Sequence, residues 1–355
     1  MFGNTLKTLR LASGYNLKEL AQQLGIDPSL LSRIERDERT ATEQQVKTMA
    51  HLLKTPTADL LKTWLADKVA SVLNPYPSLA PEVLAVMESR IEYLQGPKSV
   101  ESLPVSKALK KQLQHIDTLQ MQWQESKPSK GVQLQKLNES FAVEYTYESN
   151  RIEGCTLSLQ ETYLVIHEGL TISGKTMQEH LEAINHDEAI EFVTDLVNRK
   201  LELNEYRLKQ IHHLVLKGID RKNAGVYRQV PVRIGGSSHL PPEPYLVPKL
   251  MEDLFLFYEK EKLQMHPVLL AAEMHERLVT IHPFIDGNGR TARLLMNLIL
   301  LRHGYEIAIL KGNVKSRMAY YKALEAVQVD ANTAPFYELI TNAVKQSLEE
   351  HLKLV

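Results

Sequence analysis

Apolar side chains recur every three or four residues along most of the chain, which is the spacing of helices with one buried face. Between residues 5 and 66 this pattern predicts five short helices. We expect Gly25 to end the second of them, and Asp27 with Pro28 to provide a cap and a first-turn proline for the third. The sequence therefore predicts a small helical domain over residues 1–66.

A second helical region extends over residues 106–355. Its helical spacing is clearest in two consecutive apolar stripes, which are Leu109, Leu113, Ile116, Leu119 and Trp123, then Leu134, Leu137, Phe141 and Tyr145. A later helix over 267–281 leads into a glycine-rich turn, and residues 290–301 form an apolar stretch without Gly or Pro, typical of a buried helix. The predicted fold class is mainly α.

Glycine and proline mark two interruptions of this pattern. Residues 67–105 hold repeated prolines around one helical stretch, 82–94, which indicates a helical linker. Within 226–240, alternating apolar residues precede a Gly-Gly-Ser-Ser turn, which predicts one β hairpin. The alternating residues are Val230, Val232 and Ile234.

Composition narrows the class of protein. A chain of 355 residues has room for two or three domains. A formal net charge of -1 argues against a protein that coats nucleic acid by bulk electrostatics. The single cysteine, Cys155, excludes an intramolecular disulfide, and the first residues lack the apolar run of a signal peptide. Since no apolar run approaches a membrane span, we expect a cytoplasmic protein without a membrane partner.

The turn at residues 282–290, HPFIDGNGR, has the residue types of a phosphate site. Gly287 and Gly289 let the backbone approach a ligand, and the turn lies where the next helix begins, which favours an anion. Asp286 offers a hard oxygen suited to Mg²⁺, and His282 is a natural general base. The helix that follows carries two cations three residues apart that can both reach phosphate oxygens, Arg290 and Arg293.

With the Thr-Ala-Arg that follows it, this turn resembles the signature of the Fic/Doc family, HPFx[DE]GN[GK]RxxR, at every position. The resemblance implies transfer of AMP from ATP to a Ser, Thr or Tyr hydroxyl of a target protein or of the chain itself. Gly287 and Gly289 stand where Doc-like kinases usually have Ala and Lys, which favours nucleotidyl transfer over phosphorylation.

The same resemblance implies a role for each residue of the turn. His282 takes the proton of the target hydroxyl, and Asp286 holds Mg²⁺ on the phosphates. The N–H groups of residues 287–289 and the side chain of Asn288 stabilise charge at the α-phosphoryl group. Arg290 and Arg293 bind the outer phosphates.

Ser149 and Glu153 share one helix face, and Gly154 follows them. They resemble the inhibitory motif [ST]xxxE[GN] of the same family, here at the end of a helix predicted over about 132–153. The resemblance implies that Glu153 pairs with Arg293 and withholds it from the γ-phosphate of a nucleotide. The alternative is an exposed carboxylate at a helix end with no regulatory role.

Residues 17–40, LKELAQQLGIDPSLLSRIERDERT, resemble the Cro/repressor-type helix-turn-helix. In that comparison the recognition helix presents Ser29, Ser32 and Arg33 to DNA. The first 66 residues hold nine Lys and Arg against seven Asp and Glu, a modest net charge of +2. A helical bundle that mediates only protein contacts therefore remains an alternative.

The expected organisation is thus a helix-turn-helix domain (1–66), a helical linker (67–105) and a helical Fic domain (106–355) with its catalytic loop and helix at 282–301. The predicted hairpin resembles the Fic flap, which holds a target segment by strand addition; an inert surface hairpin is the alternative. Two other functions stay open: a DNA-binding regulator whose Fic core senses nucleotide, and a hydrolase in which Glu153 orients water to remove AMP. A homodimer is also open.

Overall fold

The computed structural model describes residues 2–84, 87, 106–128 and 131–354, which are mainly α-helical. The chain divides into two compact units, residues 1–103 and residues 104–355. Most of the predicted linker, including all but one residue of 85–105, lies outside the described residues. Within the ranges that are described, every helix is too short or too polar to cross a membrane.

The N-terminal unit contains the five helices that the sequence predicts. They are α1 (Phe2–Ala12), α2 (Leu17–Leu24), α3 (Pro28–Glu35), α4 (Glu43–Leu52) and α5 (Thr57–Leu73). Gly25 ends α2 at a φ of 64°, and the Asp27 side chain accepts the N–H of Ser29 at the start of α3, so both predicted signals are confirmed. Helix α5 continues past residue 66, the predicted end of this domain.

All five helices contribute to one apolar core in this unit. Its fully buried members include Leu6, Leu20, Leu31, Val46 and Leu60. A buried ion pair joins α1 to the end of α3, with 2.6 Å between Arg10 Nε and Glu35 Oε1. The inner face of α3 is therefore fixed, and its outer face is left for solvent or a ligand.

The second unit contains ten further α-helices in the described residues. They are α6 (Lys107–Ser126), α7 (Val132–Ile152), α8 (Leu159–Glu168), α9 (Met177–Asn198), α10 (Glu205–Leu216), α11 (Val247–Glu261), α12 (Pro267–Ile281), α13 (Asn288–Arg302), α14 (Val314–Asp330) and α15 (Ala334–Leu352). A short 3-10 turn, Pro244–Leu246, precedes α11.

Helix α13 lies at the centre of this unit. It packs against α7, α9, α10 and α12, and almost all of its residues are buried. A helix enclosed on every side has no polar stripe, which explains why its sequence is apolar without a helical period. Its N-terminus, where the glycine-rich turn lies, is therefore held in place by the core of the whole unit.

The predicted β hairpin at 226–240 is not formed, since none of the described residues lies in a strand. The segment is irregular, and the carbonyl of Val230 is bound by a side chain instead of a neighbouring strand. The Arg228 side chain donates to the carbonyls of Val230 and Pro242, so the Val230 carbonyl is already bound and is not left for a cross-strand bond. Pro231 and Pro241 have no N–H to donate to a ladder. Sequence alternation alone was thus an insufficient sign of strand pairing here.

Candidate active site

The glycine-rich turn joins α12 to α13 through two residues in the left-handed region of backbone conformation. Helix α12 ends at Ile281, and His282 has a φ of 50°, which is uncommon for a residue with a side chain. Gly287 has a φ of 74°, and α13 begins at Asn288. A Cβ at Gly287 would also lie 3.3 Å from Val215 Cγ1, so both conformation and space require glycine there.

The side chain of Asn288 closes the turn. Its Oδ1 accepts the N–H of Phe284 at 3.0 Å, and its Nδ2 donates to the carbonyl of Phe284 at 2.9 Å. Asn288 is itself buried. The geometry thus gives this amide a positioning function, while its contact with a phosphoryl group stays a prediction.

His212 on α10 supports the turn from beneath. Its ring stacks on Phe284 with 3.6 Å between centroids, and its Nδ1 accepts the N–H of Gly225 at 2.8 Å. The proton therefore resides on Nε2, which donates to the carbonyl of Asp286 at 2.9 Å. Burial lowers the pKa of His212 to about 4, so this neutral tautomer persists at pH 7. Sequence reasoning missed this contact because Asp286 lies 74 residues away along the chain.

His282 is half-buried at the start of the turn. Its Nδ1 lies 3.3 Å from the carbonyl of Val279, and a proton on Nδ1 leaves Nε2 as an acceptor. Burial is the main cause that lowers the pKa of His282; the Val279 carbonyl opposes it, and the Arg228 guanidinium adds to it. The imidazole is therefore neutral at pH 7 and able to accept a proton, as a general base must.

Asp286 and Arg290 share one network at the N-terminus of α13. The Asp286 side chain is 58% exposed and lies 3.4 Å from the Arg290 guanidinium, and its Oδ1 accepts the N–H of Gly287 at 2.6 Å. Arg290 is buried and lies 3.2 Å from the carboxylate of Glu182 on α9. Asp286 thus faces solvent, while Arg290 points largely into the protein.

Arg293 lies one turn further along α13 and is bound by the end of α7. Its Nε donates to Ser149 Oγ at 3.0 Å, and its second terminal nitrogen donates to the Ser149 carbonyl and to Glu153 Oε1, the latter at 2.7 Å. Burial alone would lower the pKa of Arg293, but the Glu153 carboxylate raises it above its ordinary value. The structure brings together the two residues whose pairing the sequence predicts; their inhibitory function stays a prediction.

Gly289 lies directly under this ion pair. A Cβ at this position would lie 2.4 Å from Glu153 Oε1 and 3.0 Å from the nearer nitrogen of Arg293. Because Gly289 is helical rather than left-handed, the constraint here is one of space alone, and a Cβ would require the Glu153 carboxylate to move. The carboxylate of Glu153 therefore rests against the N-terminus of α13, where a phosphate would be favoured.

A cavity of about 580 Å³ opens beside these groups. One wall is the turn with Glu153, His282 and Asp286, and the opposite wall is α14, including Tyr321 and Gln328. Residues 233–237 form part of its rim. Tyr320 both lines the cavity and forms a hydrogen bond with His275 at 3.2 Å in the core, so it joins the cavity wall to the interior. The volume and lining suit a nucleotide.

The remaining predicted residues lie elsewhere. Ser29 and Arg33 are exposed on α3 of the N-terminal unit, and Ser32 is half-buried there. In the second unit, Val230 is exposed, while Val232 and Ile234 are half-buried beside the cavity rim.

Comparison with known proteins agrees with the geometry. Residues 202–300 match the model of the Fic/DOC family, and residues 1–64 match a helix-turn-helix domain model. The chain contains a Fic domain and an N-terminal helix-turn-helix domain. Its Fic domain includes the whole of the turn and nearly all of α13.

Curated relatives share this domain but are longer. The chain is 35% identical over 210 residues to the protein adenylyltransferase Fic of Drosophila grimshawi, covering 59% of this chain and 42% of that protein. It is 30% identical over 324 residues to the same-named protein of Drosophila erecta, covering 83% of this chain and 64% of the relative. The chain therefore spans less than two thirds of either relative.

Two solved structures share the fold. Fic-1 of C. elegans, residues 134–508, has a TM-score of 0.64 at 25% identity and covers 99% of this chain and 98% of that one. A Fic-domain signaling protein of Bacteroides thetaiotaomicron has a TM-score of 0.63 at 28% identity, covering 67% and 96% respectively. Both relationships place the helical arrangement around α13 within the Fic fold.

Proposed function

We propose that this protein is an adenylyltransferase that moves AMP from ATP to a hydroxyl of a target protein. The observation that carries the proposal is one cavity in which a neutral imidazole, an exposed carboxylate and a helix N-terminus meet: His282, Asp286 and the start of α13. The similarity to protein adenylyltransferases supports it.

The phosphates are placed by the first turn of α13. Within the described residues, the N–H groups of Asn288 and Gly289 make no hydrogen bond, and the buried Arg293 keeps one terminal nitrogen without a partner. Free N–H groups at a helix N-terminus, together with a guanidinium, form a site for anionic oxygens. These donors would hold the phosphate chain and stabilise the charge that develops at the α-phosphorus.

His282 performs the proton transfer. The target hydroxyl oxygen forms a bond to the α-phosphorus while the bond from that phosphorus to the bridging oxygen of pyrophosphate breaks. The hydroxyl proton passes to Nε2 of His282, and pyrophosphate leaves with the electron pair. The products are an AMP–protein ester and pyrophosphate.

Asp286 suits Mg²⁺ because its carboxylate is exposed beside the cavity. The described residues contain no group of three His, Cys, Asp or Glu side chains able to hold a metal alone. A single carboxylate is nevertheless the usual protein share of a Mg²⁺ site completed by substrate phosphates and water. When bound, the ion would neutralise phosphate charge.

Glu153 would inhibit this reaction in the resting state. Its carboxylate occupies Arg293 and rests against Gly289, where the outer phosphate has to lie. Two negative groups cannot share one guanidinium at the same site without repulsion. Displacement of Glu153 is therefore the activating step.

The segment 229–235 is the proposed contact for the target. Within the described residues, the N–H groups of Val230, Val232 and Ile234 make no hydrogen bond. Unpaired backbone groups beside a cavity can bind an extended peptide by strand addition. A target chain held there would place a Ser, Thr or Tyr hydroxyl near His282.

The test uses the Glu153→Gly variant with ATP labelled on either the α- or the γ-phosphate, followed by mass spectrometry of lysate proteins and of the variant itself. We expect α-label on protein hydroxyls and free pyrophosphate. Transfer of the γ-label would instead identify a kinase. Release of AMP from a modified protein, without transfer to one, would identify a hydrolase.

The N-terminal unit has a second proposed function, DNA binding by α3. The exposure of Ser29 and Arg33 on the outer face of a fixed α3 favours it. Phosphate contacts would make retention of duplex DNA fall steeply with salt, and Arg33→Ala would weaken it. Failure to retain any duplex from a genomic fragment library at low salt would leave the protein-contact alternative.

A further inference from the structure

Arg228 lies behind the catalytic turn and is not part of any predicted motif. It follows α10 by a short loop, and its side chain is only 2% exposed, although the segment that follows it is largely at the surface. A guanidinium carries five N–H donors and remains charged in proteins, so its burial requires many acceptors.

The acceptors of Arg228 are all backbone carbonyls. Its Nε donates to the carbonyl of His282 at 2.8 Å, and a terminal nitrogen lies 3.5 Å from the carbonyl of Ile281. The other contacts are to Val230 at 3.2 Å and to Pro242. Its backbone N–H also donates to the carbonyl of Pro283 at 2.9 Å.

These contacts join two parts of the site. One is the backbone of residues 281–283, which contains the proposed base. The other is the segment 230–242, which contains the proposed target contact. No carboxylate in the described part of the chain forms an ion pair with Arg228, and Glu243 acts on it only at longer range. All hydrogen bonds of the guanidinium are therefore made to the backbone.

The residue held in this way has a backbone that needs support. His282 has a φ of 50°, a conformation that costs free energy for a residue with a side chain. Such a conformation persists only where surrounding contacts determine it. The Arg228 Nε contact is made to the carbonyl of His282 itself.

We propose that Arg228 is a positioning residue that fixes the His282 backbone relative to segment 230–242, so that the base and the target contact keep one geometry. The proposal rests on the function proposed above. It extends that function because the residue that sets the position of the base, Arg228, lies outside the family signature.

The experiment compares Arg228→Lys and Arg228→Met in the Glu153→Gly background. Lysine keeps the charge but loses the planar fork of donors, whereas methionine loses both. We expect both variants to reduce kcat by about 10²-fold, since misplacement of about 1 Å has that effect, with the KM for ATP little changed. Arg302→Met is the control, because Arg302 bonds Leu201 and Tyr258 at the far end of α13. It should leave kcat unchanged.

A second readout needs no activity, namely the NMR titration of the His282 imidazole, identified by its loss in His282→Asn. The charged groups that face this ring are Arg228, Glu153 and His239. Glu153 is absent from every variant of the series and His239 is unchanged. Because the Arg228 charge lowers the pKa of His282, methionine should raise that pKa and lysine should leave it in place.

The outcomes separate the two proposals. If Glu153→Gly transfers no AMP, the proposed function fails, and the titration still tests the placement of Arg228. Unchanged kcat in Arg228→Lys, with transfer active, overturns the positioning role. If Arg228→Met does not fold, Arg228→Lys decides: a loss of kcat with normal KM supports the role, and an equal loss in Arg302→Met refutes it.

Discussion

Arg293 and Arg228 are both buried within this Fic domain, and they keep their charge in different ways. Arg293 is paired with a carboxylate from the end of another helix, the 34% exposed side chain of Glu153. Arg228 is bound by backbone carbonyls alone. A carboxylate on a rotatable side chain can leave, and an anionic ligand can replace it; a carbonyl cannot leave without moving the main chain. One arginine is therefore suited to a switch, and the other to a fixed frame.

This difference predicts opposite results from similar substitutions. Removal of the partner of Arg293 should release activity, whereas loss of Arg228 should reduce it. Both effects change the rate of the same transfer step. The following experiments test the comparison from the largest expected effect to the smallest.

His282→Ala should reduce transfer by about 10²–10⁴-fold, the usual contribution of a general base. Nucleotide binding should be nearly unchanged, because it depends on the α13 N-terminus and Arg293. Calorimetric titration with ATP and initial-rate labelling, both in the Glu153→Gly background, separate the two quantities. Labelling at the level of the parent protein would show that His282 is not the base. The role proposed for Arg228 would then fail as well.

Glu153→Gly should raise labelling from ATP by about 10²-fold, since release of Arg293 lets the α-phosphate align for attack. Fold stability should change little, because α7 ends at this position. The double variant Glu153→Gly/Arg293→Ala should lose the gain, because Arg293 is needed once freed. Equal rates for the wild-type protein and Glu153→Gly would reduce Glu153 to an ordinary residue at a helix end.

Gly289→Ala should raise labelling from ATP less than Glu153→Gly does. We expect an increase of about tenfold, which corresponds to an activation free energy lower by about 1.4 kcal/mol. The added Cβ would lie 2.4 Å from Glu153 Oε1, so the carboxylate must move, but it remains nearby. Gly287→Ala is the matched control: its φ of 74° and its contact with Val215 make alanine disruptive, so labelling should fall. Activation by both alanines, or by neither, would contradict the contact assigned to Gly289.

Asp187 differs from both arginines. It is a half-buried charged group that has neither an ion-pair partner nor a hydrogen-bond partner among the described residues. Within the described residues its carboxylate makes no hydrogen bond or ion pair, and burial, aided by Glu191, raises its pKa to about 6. A raised carboxyl pKa means that folding disfavours the charged form, so the cost develops as pH rises from about 4 to about 6 and persists above that range.

Asp187→Asn should therefore raise the free energy of unfolding by about 1 kcal/mol at pH 8, a value reduced for partial exposure, and by nothing at pH 3. Chemical denaturation at both pH values measures the difference. The same gain at both pH values would point to packing rather than charge as the cause.

Several parts of this molecule could be predicted from sequence because their causes are local. Helix spacing indicated the helices, and Gly25 and Asp27 marked their ends by conformation and capping. The turn was recognisable because nine successive residues match the family signature and most of them have a chemical role in it. The Glu153–Arg293 pair was predictable from the family resemblance, although 140 residues separate the partners.

The other parts depend on contacts between distant segments that leave no local sign. His212 and Arg228 read as ordinary polar residues, and only the fold places them under Asp286 and His282. The hairpin prediction was wrong because alternation at residues 230–234 says nothing about which groups take the carbonyls. Here the buried guanidinium of Arg228 binds the carbonyl of Val230.

The order of Glu153 and Arg293 in the chain has a consequence for biosynthesis. Glu153 precedes Arg293 by 140 residues. At ordinary rates of translation, about 5–20 residues per second, the ribosome completes α7 roughly 7–28 s before it reaches Arg293. The helix that carries Glu153 is therefore already made when residues 282–290 emerge. Under the inhibition proposed above, Glu153 is available to pair with Arg293 as soon as Arg293 is made, and we expect activity to be acquired after synthesis.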